Sequence, residues 1–120
     1  YCSAPGKVLL AHADNDFIEE YTSRNFDKTT KNTITEKADM LKELENIRIN
    51  GYATDKEEFG NGITCVAAPI YDYTGKVIAA VGCSAFTSGG QCEEIIKTLL
   101  PDVLKSAKEI STRLGGATAF

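Results

Sequence analysis

Four cysteines, at positions 2, 65, 83 and 92, and a single histidine, His12, are the side chains of this 120-residue sequence best suited to nucleophilic or metal chemistry. Attack by a thiol or hydroxyl needs a base within hydrogen-bond reach. His12 is the sole imidazole, and it lies in the apolar run Val8 to Ala13, where a core or surface histidine is the simpler reading. No two cysteines have CxxC spacing, so a zinc site would have to be assembled from scattered residues. Neither a metal nor a cofactor is expected. Asp55, Glu57 and Glu58 could supply the paired carboxylates of a hydrolase, although three acids in a polar turn more simply make a solvated corner. Gly60-Asn61-Gly62 lacks the Walker ending, and Ser3-Ala4-Pro5-Gly6-Lys7 lacks the Rossmann spacing. An enzyme is therefore not expected, and one working through Cys65 or Asp55 is kept as an alternative. What survives is a binding site in outline. Ala67, Ala68, Ala79, Ala80 and Gly82 leave space on extended segments, while Cys65, Ser84 and Asp55 supply a few polar groups. A tightly packed sheet with small residues under a helix is the competing reading.

The elements that would position these groups follow from pattern. Ser3-Ala4-Pro5-Gly6 feeds directly into a short helix through Val8, Leu9 and Leu10, and Asp14 or Asn15 caps a second helix running to about Arg24. Thr33 and Glu36 have the form of a capping box, ahead of an apolar stripe of Ala38, Leu41, Leu44 and Ile47 that ends at Gly51. Beyond Gly51 the period changes. Tyr52 to Thr54 is a short strand, and Ile63 to Tyr71 and Val77 to Ser84 form a hairpin around Asp72-Tyr73-Thr74-Gly75. Ile96, Leu99, Leu100, Val103, Ala107, Ile110 and Leu114 mark a long amphipathic final helix, with a kink or short break expected at Pro101. Residues 116–120 read as a frayed tail.

Hairpin register decides whether the polar groups meet. A four-residue loop on Asp72 to Gly75 pairs Tyr71 with Lys76, Cys65 with Gly82 and Ile63 with Ser84, which puts all four candidates on one face. A three-residue loop would slip the pairing by one, set Cys65 against Cys83 and disperse the site.

Composition limits the partners. A 42% hydrophobic chain of this length makes one domain with one core. Thirteen basic against seventeen acidic residues, a net charge of −4, lack the footprint for a phosphate backbone, so direct DNA binding by this chain is not expected. The longest apolar stretches fall short of a membrane span or a signal peptide. Unpaired thiols in such a chain point to a reducing, cytoplasmic location.

Taken in order, several stretches form a recognisable set. These are Ser3-Ala4-Pro5-Gly6-Lys7-Val8-Leu9-Leu10-Ala11, Asn32-Thr33-Ile34-Thr35, Leu41-Lys42-Glu43-Leu44 running to Ile47-Arg48, and Gly51-Tyr52-Ala53. Asp55 to Phe59, Gly62 to Ile70, Val77 to Ser84 and Ala107 to Ser111 continue it. Together they resemble the effector domain of IclR-family transcription regulators, over roughly residues 1–115. The resemblance implies an α/β (α+β) fold, GAF-like or profilin-like, with an antiparallel sheet flanked by helices. It also implies that the domain's usual first helix and strands lie before the segment matching Tyr1, and that DNA is contacted only through an N-terminal winged helix-turn-helix absent from this chain. By position, an effector would be held by Ala4, Pro5 and Gly6 at the first helix and by Asp55, Ile63, Cys65, Gly82 and Ser84 on the strands. The implied ligand is a small organic acid or aromatic compound, and the implied assembly is a homo-oligomer, dimer or tetramer. A purely structural dimerisation domain is the other alternative.

Overall fold

The computed structural model describes residues 1–87 and 90–116. Ser3 opens the chain's first helix, α1 (Ala4–Ala11), by accepting a hydrogen bond from Gly6 N–H at 3.1 Å, and Pro5 fits the first turn because its missing donor would have no partner there. Next come α2 (Asn15–Thr22), with Asp14 at its N-cap, and α3 (Lys37–Asn50), closed by Gly51 in the left-handed region at φ 82°. The expected capping box does not form. α3 starts at Lys37 with Glu36 as its N-cap, and Thr33 instead accepts from Thr30 N–H and donates to the Glu58 carbonyl. That use of the hydroxyl fastens the 29–33 segment to the turn after the first strand.

Three strands follow, β1 (Ala53–Lys56), β2 (Ile63–Tyr71) and β3 (Val77–Phe86), in the order β1-β2-β3 and all antiparallel. The last helix, α4 (Cys92–Arg113), is continuous through Pro101, so the expected break is absent. The sheet separates two cores. On one face Ala53, Cys65 and Ala67 pack with Ala4, Val8, Ala11, Met40, Leu44 and Ile47 of α1 and α3. On the other, Val66 and Ala68 pack with Ile96, Val103 and Ala107 of α4. This α+β architecture of helices on an antiparallel sheet is the expected fold class.

The hairpin differs from expectation in an instructive way. Asp72 N–H donates to Lys76 O, and Gly75 N–H donates to Asp72 O with Gly75 at φ 81°, which makes the loop the three-residue kind with a left-handed glycine. That choice alone would slip the register by one. A bulge between Ile70 and Tyr71 adds a second slip, because Tyr71 pairs with Val77 whereas Ile70 pairs with Ala79. Two slips cancel in parity. Cys65 therefore lies opposite Ser84 rather than Gly82, and Ile63 opposite Phe86 rather than Ser84, yet each keeps the face assigned to it.

At the C-terminal end, Gly115 bridges to Asp72, and buried Gly116 donates to Ser111 O at 2.7 Å. The first residue of the supposed tail is thus docked. Residues 117–120 lie outside the described residues.

Candidate functional site

Pairing of Asp55 with Cys65 and of Cys65 with Ser84 puts these three side chains in one row across all three strands. The neighbouring row on the same face is Ala53, Ala67 and Gly82. Thr87 N–H donates to Gly62 O, which makes 62/87 a hydrogen-bonded pair and, counting by alternation, 65/84 a non-hydrogen-bonded one with its side chains close together. The Cys65 thiol lies beside Ser84 in this pair and donates to the Val66 carbonyl at 3.8 Å. α1 closes over this face. Ala4 is fully buried, and the Pro5 ring lies 3.4 Å from where a Cβ on Gly82 would stand. Six of the eight expected residues, Ala4, Pro5, Asp55, Cys65, Gly82 and Ser84, thus come together. Ile63 lies one row further out, at the start of β2. Gly6 is on the α1 side, but its N–H is engaged by Ser3.

The chemistry of the row is mostly neutral. Burial pushes the Cys65 thiol above its ordinary range, and the neighbouring Ser84 hydroxyl only partly offsets that. A thiol held protonated is a poor nucleophile. Asp55 is 2% exposed, and its Oδ1 accepts from Glu58 N–H at 2.6 Å and Phe59 N–H at 3.2 Å, so it closes the turn after β1. The start of α1 has less to give an anion than a bare helix end: Pro5 has no N–H, Gly6 is capped by Ser3, and Lys7 N–H bonds Ser3 O. His12 caps the far end of α1, where burial and then Arg48 lower its pKa, and its Nε2 is buried without a hydrogen-bond partner. It serves no cysteine. Among the described residues no three metal-type side chains converge.

Sequence reasoning passed over Lys7. Its side chain is 0% exposed, and its Nζ donates at 2.7 Å to each of Glu43 Oε2, Glu58 Oε1 and the Thr54 carbonyl. A signal existed. Ala4, Val8 and Ala11 are the buried stripe of α1, and Lys7 occupies the i+3 position of that stripe, where a charge must be paired. Burial raises the Glu58 carboxyl above the usual carboxylate range even though Lys7 pulls the other way.

The described residues leave the Ser84 end of the row open. Two hollows of the described surface, of about 610 Å³ beside His12, Phe17, Tyr71 and Lys76 and about 440 Å³ beside Asn50, Pro69, Tyr71 and Leu104, are lined by other residues. Ser84 and Phe86 stand exposed on β3, Phe86 at 88%, and no described strand pairs with the outer edge of β3.

Comparison with known proteins gives this geometry a context. Residues 1–112 match the family described as Bacterial transcriptional regulator IclR C-terminal. The chain belongs to that family. Among curated relatives, the DNA-binding transcriptional repressor YiaJ of Escherichia coli K12 is 40% identical over 119 residues, covering 96% of this chain and 42% of the repressor. Less than half of the YiaJ length is therefore represented. Solved structures agree in fold. The C-terminal domain of the E. coli regulator KdgR superposes with a TM-score of 0.81 at 33% identity, covering 96% of this chain and 70% of that one. The inducer-binding domain of PobR from Acinetobacter, a double mutant solved with 3-hydroxybenzoic acid, superposes with a TM-score of 0.82 at 29% identity, covering 92% of this chain and 63% of that one. The relatives are named as regulators of transcription, not as enzymes.

Proposed function

We propose that this chain is the effector-sensing and oligomerisation part of a transcription regulator, and that it holds a small organic acid or aromatic compound between the start of α1 and the strand face. The observation that carries the reading is the in-register row Asp55, Cys65 and Ser84 beneath Ala4 and Pro5. Gly6, Gly82 and Ile63 border it, with Gly82 letting Pro5 approach and Ile63 extending the face outward. The inducer complex of PobR supports this choice of ligand class. Ser84 and Cys65 read a hydroxyl or ring edge of the ligand, while Asp55 shapes the floor through its turn. The full-length protein reaches DNA through an N-terminal winged helix-turn-helix, works in the cytoplasm as a homodimer or homotetramer, and responds to ligand because the ligand favours one subunit arrangement.

A thermal-shift screen of the full-length regulator against small carboxylates, sugar acids and aromatic acids, 3-hydroxybenzoate among them, identifies the ligand class, because a tight ligand raises apparent stability by mass action. Calorimetry on the best ligand then tests the site. Ser84→Ala and Cys65→Leu are each expected to weaken binding about ten-fold, roughly 1.4 kcal/mol, with little change in unfolding midpoint. Wild-type affinity in both variants would remove the strand side of the proposal. An enzyme acting through Cys65 or Asp55 fits less well, because the thiol is held protonated and the carboxylate is tied to backbone N–H groups.

A further inference from the structure

We infer that Lys7 is a positioning residue of the effector cleft, whose ammonium ties the start of α1 to the Asp55 turn and both of them to α3. The inference rests on the reading of this face as the effector site. An ammonium has three N–H donors. Lys7 uses all three, each at 2.7 Å, on three different elements: Glu43 of α3, the Thr54 carbonyl of β1, and Glu58 in the turn after β1. Lys7 directly follows Ala4-Pro5-Gly6, so its backbone belongs to one wall of the cleft. Glu58 belongs to the other, because its N–H is held by Asp55 Oδ1 at 2.6 Å while Thr29 and Thr33 bond its carbonyl. One atom therefore sets the spacing between both walls.

Stability alone does not explain such a group. Removing an ammonium and a carboxylate from water is costly, and apolar side chains of similar volume commonly fill such positions with no loss of stability. What the charged tie adds is direction: three fixed acceptors permit one placement of α1 over the strands. A leucine or methionine in the same stripe would leave the helix free to slide.

The test uses the full-length regulator and iodoacetamide as a small probe of the cleft, read by mass spectrometry on the Cys65 peptide. The Cys92 peptide is the internal control, since Cys92 sits half-buried at the start of α4, where it accepts from the Thr64 hydroxyl and donates to Glu57 Oε2 at 3.9 Å, on the side of the sheet away from α1. The first variant is Lys7→Met/Glu43→Gln/Glu58→Gln, which removes the ionic tie without leaving a buried charge unpaired and gives the Thr54 carbonyl an amide donor. The second is Glu43→Gln alone, a milder change at a side chain 27% exposed. Native alkylation of Cys65 is expected to rise about ten-fold in the triple variant and about two- to three-fold in Glu43→Gln, with the Cys92 rate unchanged. A Cys65 rate that stays at the wild-type value in folded protein overturns the inference. So does an equal rise at Cys92, which would mean general loosening, or failure of both variants to fold, which would make the triad a folding element. Because the probe reports on the cleft and not on the effector, an empty ligand screen beside a selective rise at Cys65 sinks the effector reading and leaves the tie standing.

Discussion

A Cβ placed on Gly82 would stand 3.0 Å from the Val66 carbonyl and 3.4 Å from the Pro5 ring, so this glycine leaves room for the neighbouring strand and for the start of α1 at once. Gly82→Val is accordingly expected to cost about 1–3 kcal/mol by overpacking, read from the denaturant midpoint. At the same scale, Glu58 gives a pH dependence of unusual sign. Its carboxyl is raised by burial, so the folded protein holds that proton more tightly than the unfolded chain does. Stability from this group is present at low pH and falls as pH rises from the ordinary carboxylate range through the raised value. Glu58→Gln removes that fall. Unfolding midpoints measured between about pH 4 and 8 should therefore shift in favour of the variant as pH increases, and a constant difference would show that Lys7 cancels the burial. Cys65, Ser84 and Gly82 were legible in the sequence because small and polar residues alternate with branched ones along strands. Lys7, Glu43 and Glu58 were not. Their partnership joins residues 36 and 51 positions apart, and only the fold supplies that proximity.

At the scale of elements, helices and strands followed from periodicity, whereas the start of α3 and the hairpin register did not. Thr33 had two uses for one hydroxyl, a cap or a tie to the Glu58 carbonyl, and local sequence does not choose between them. Pro101 was read as the site of a kink or short break, but α4 runs on through it without a break, at the cost of the one backbone donor that proline lacks. The register makes a direct prediction. Because Cys65 and Ser84 form a non-hydrogen-bonded cross-strand pair, Ser84→Cys should cross-link to Cys65 under mild oxidation, with Cα atoms about 4.5 Å apart. Cys83 points to the other face and should not. Peptide mapping of the oxidised variant decides it, and a Cys65–Cys83 product would mean the single-slip register.

The whole molecule carries a formal charge of −4, and the matched relatives are regulators of which it spans less than half. As an isolated chain it is expected to show no submicromolar, salt-sensitive affinity for duplex DNA in an anisotropy titration, since its acidic balance cannot neutralise a phosphate backbone. That charge balance was plain from the sequence. An exposed sheet edge was expected only through the family resemblance, which implies strands missing from this sheet; it is the outer edge of β3 that no described strand pairs. Which layer each β3 side chain meets, the α1 side or the α4 side, depends on the two slips around the turn. Their relation is that of a frameshift and its suppressor. Ile78 is the residue gained at the bulge, so a gene that lost this one codon would straighten the strand and still present Ser84, Gly82 and Ala80 to the same layer. The hairpin can thus change length by one during descent without the molecule turning inside out.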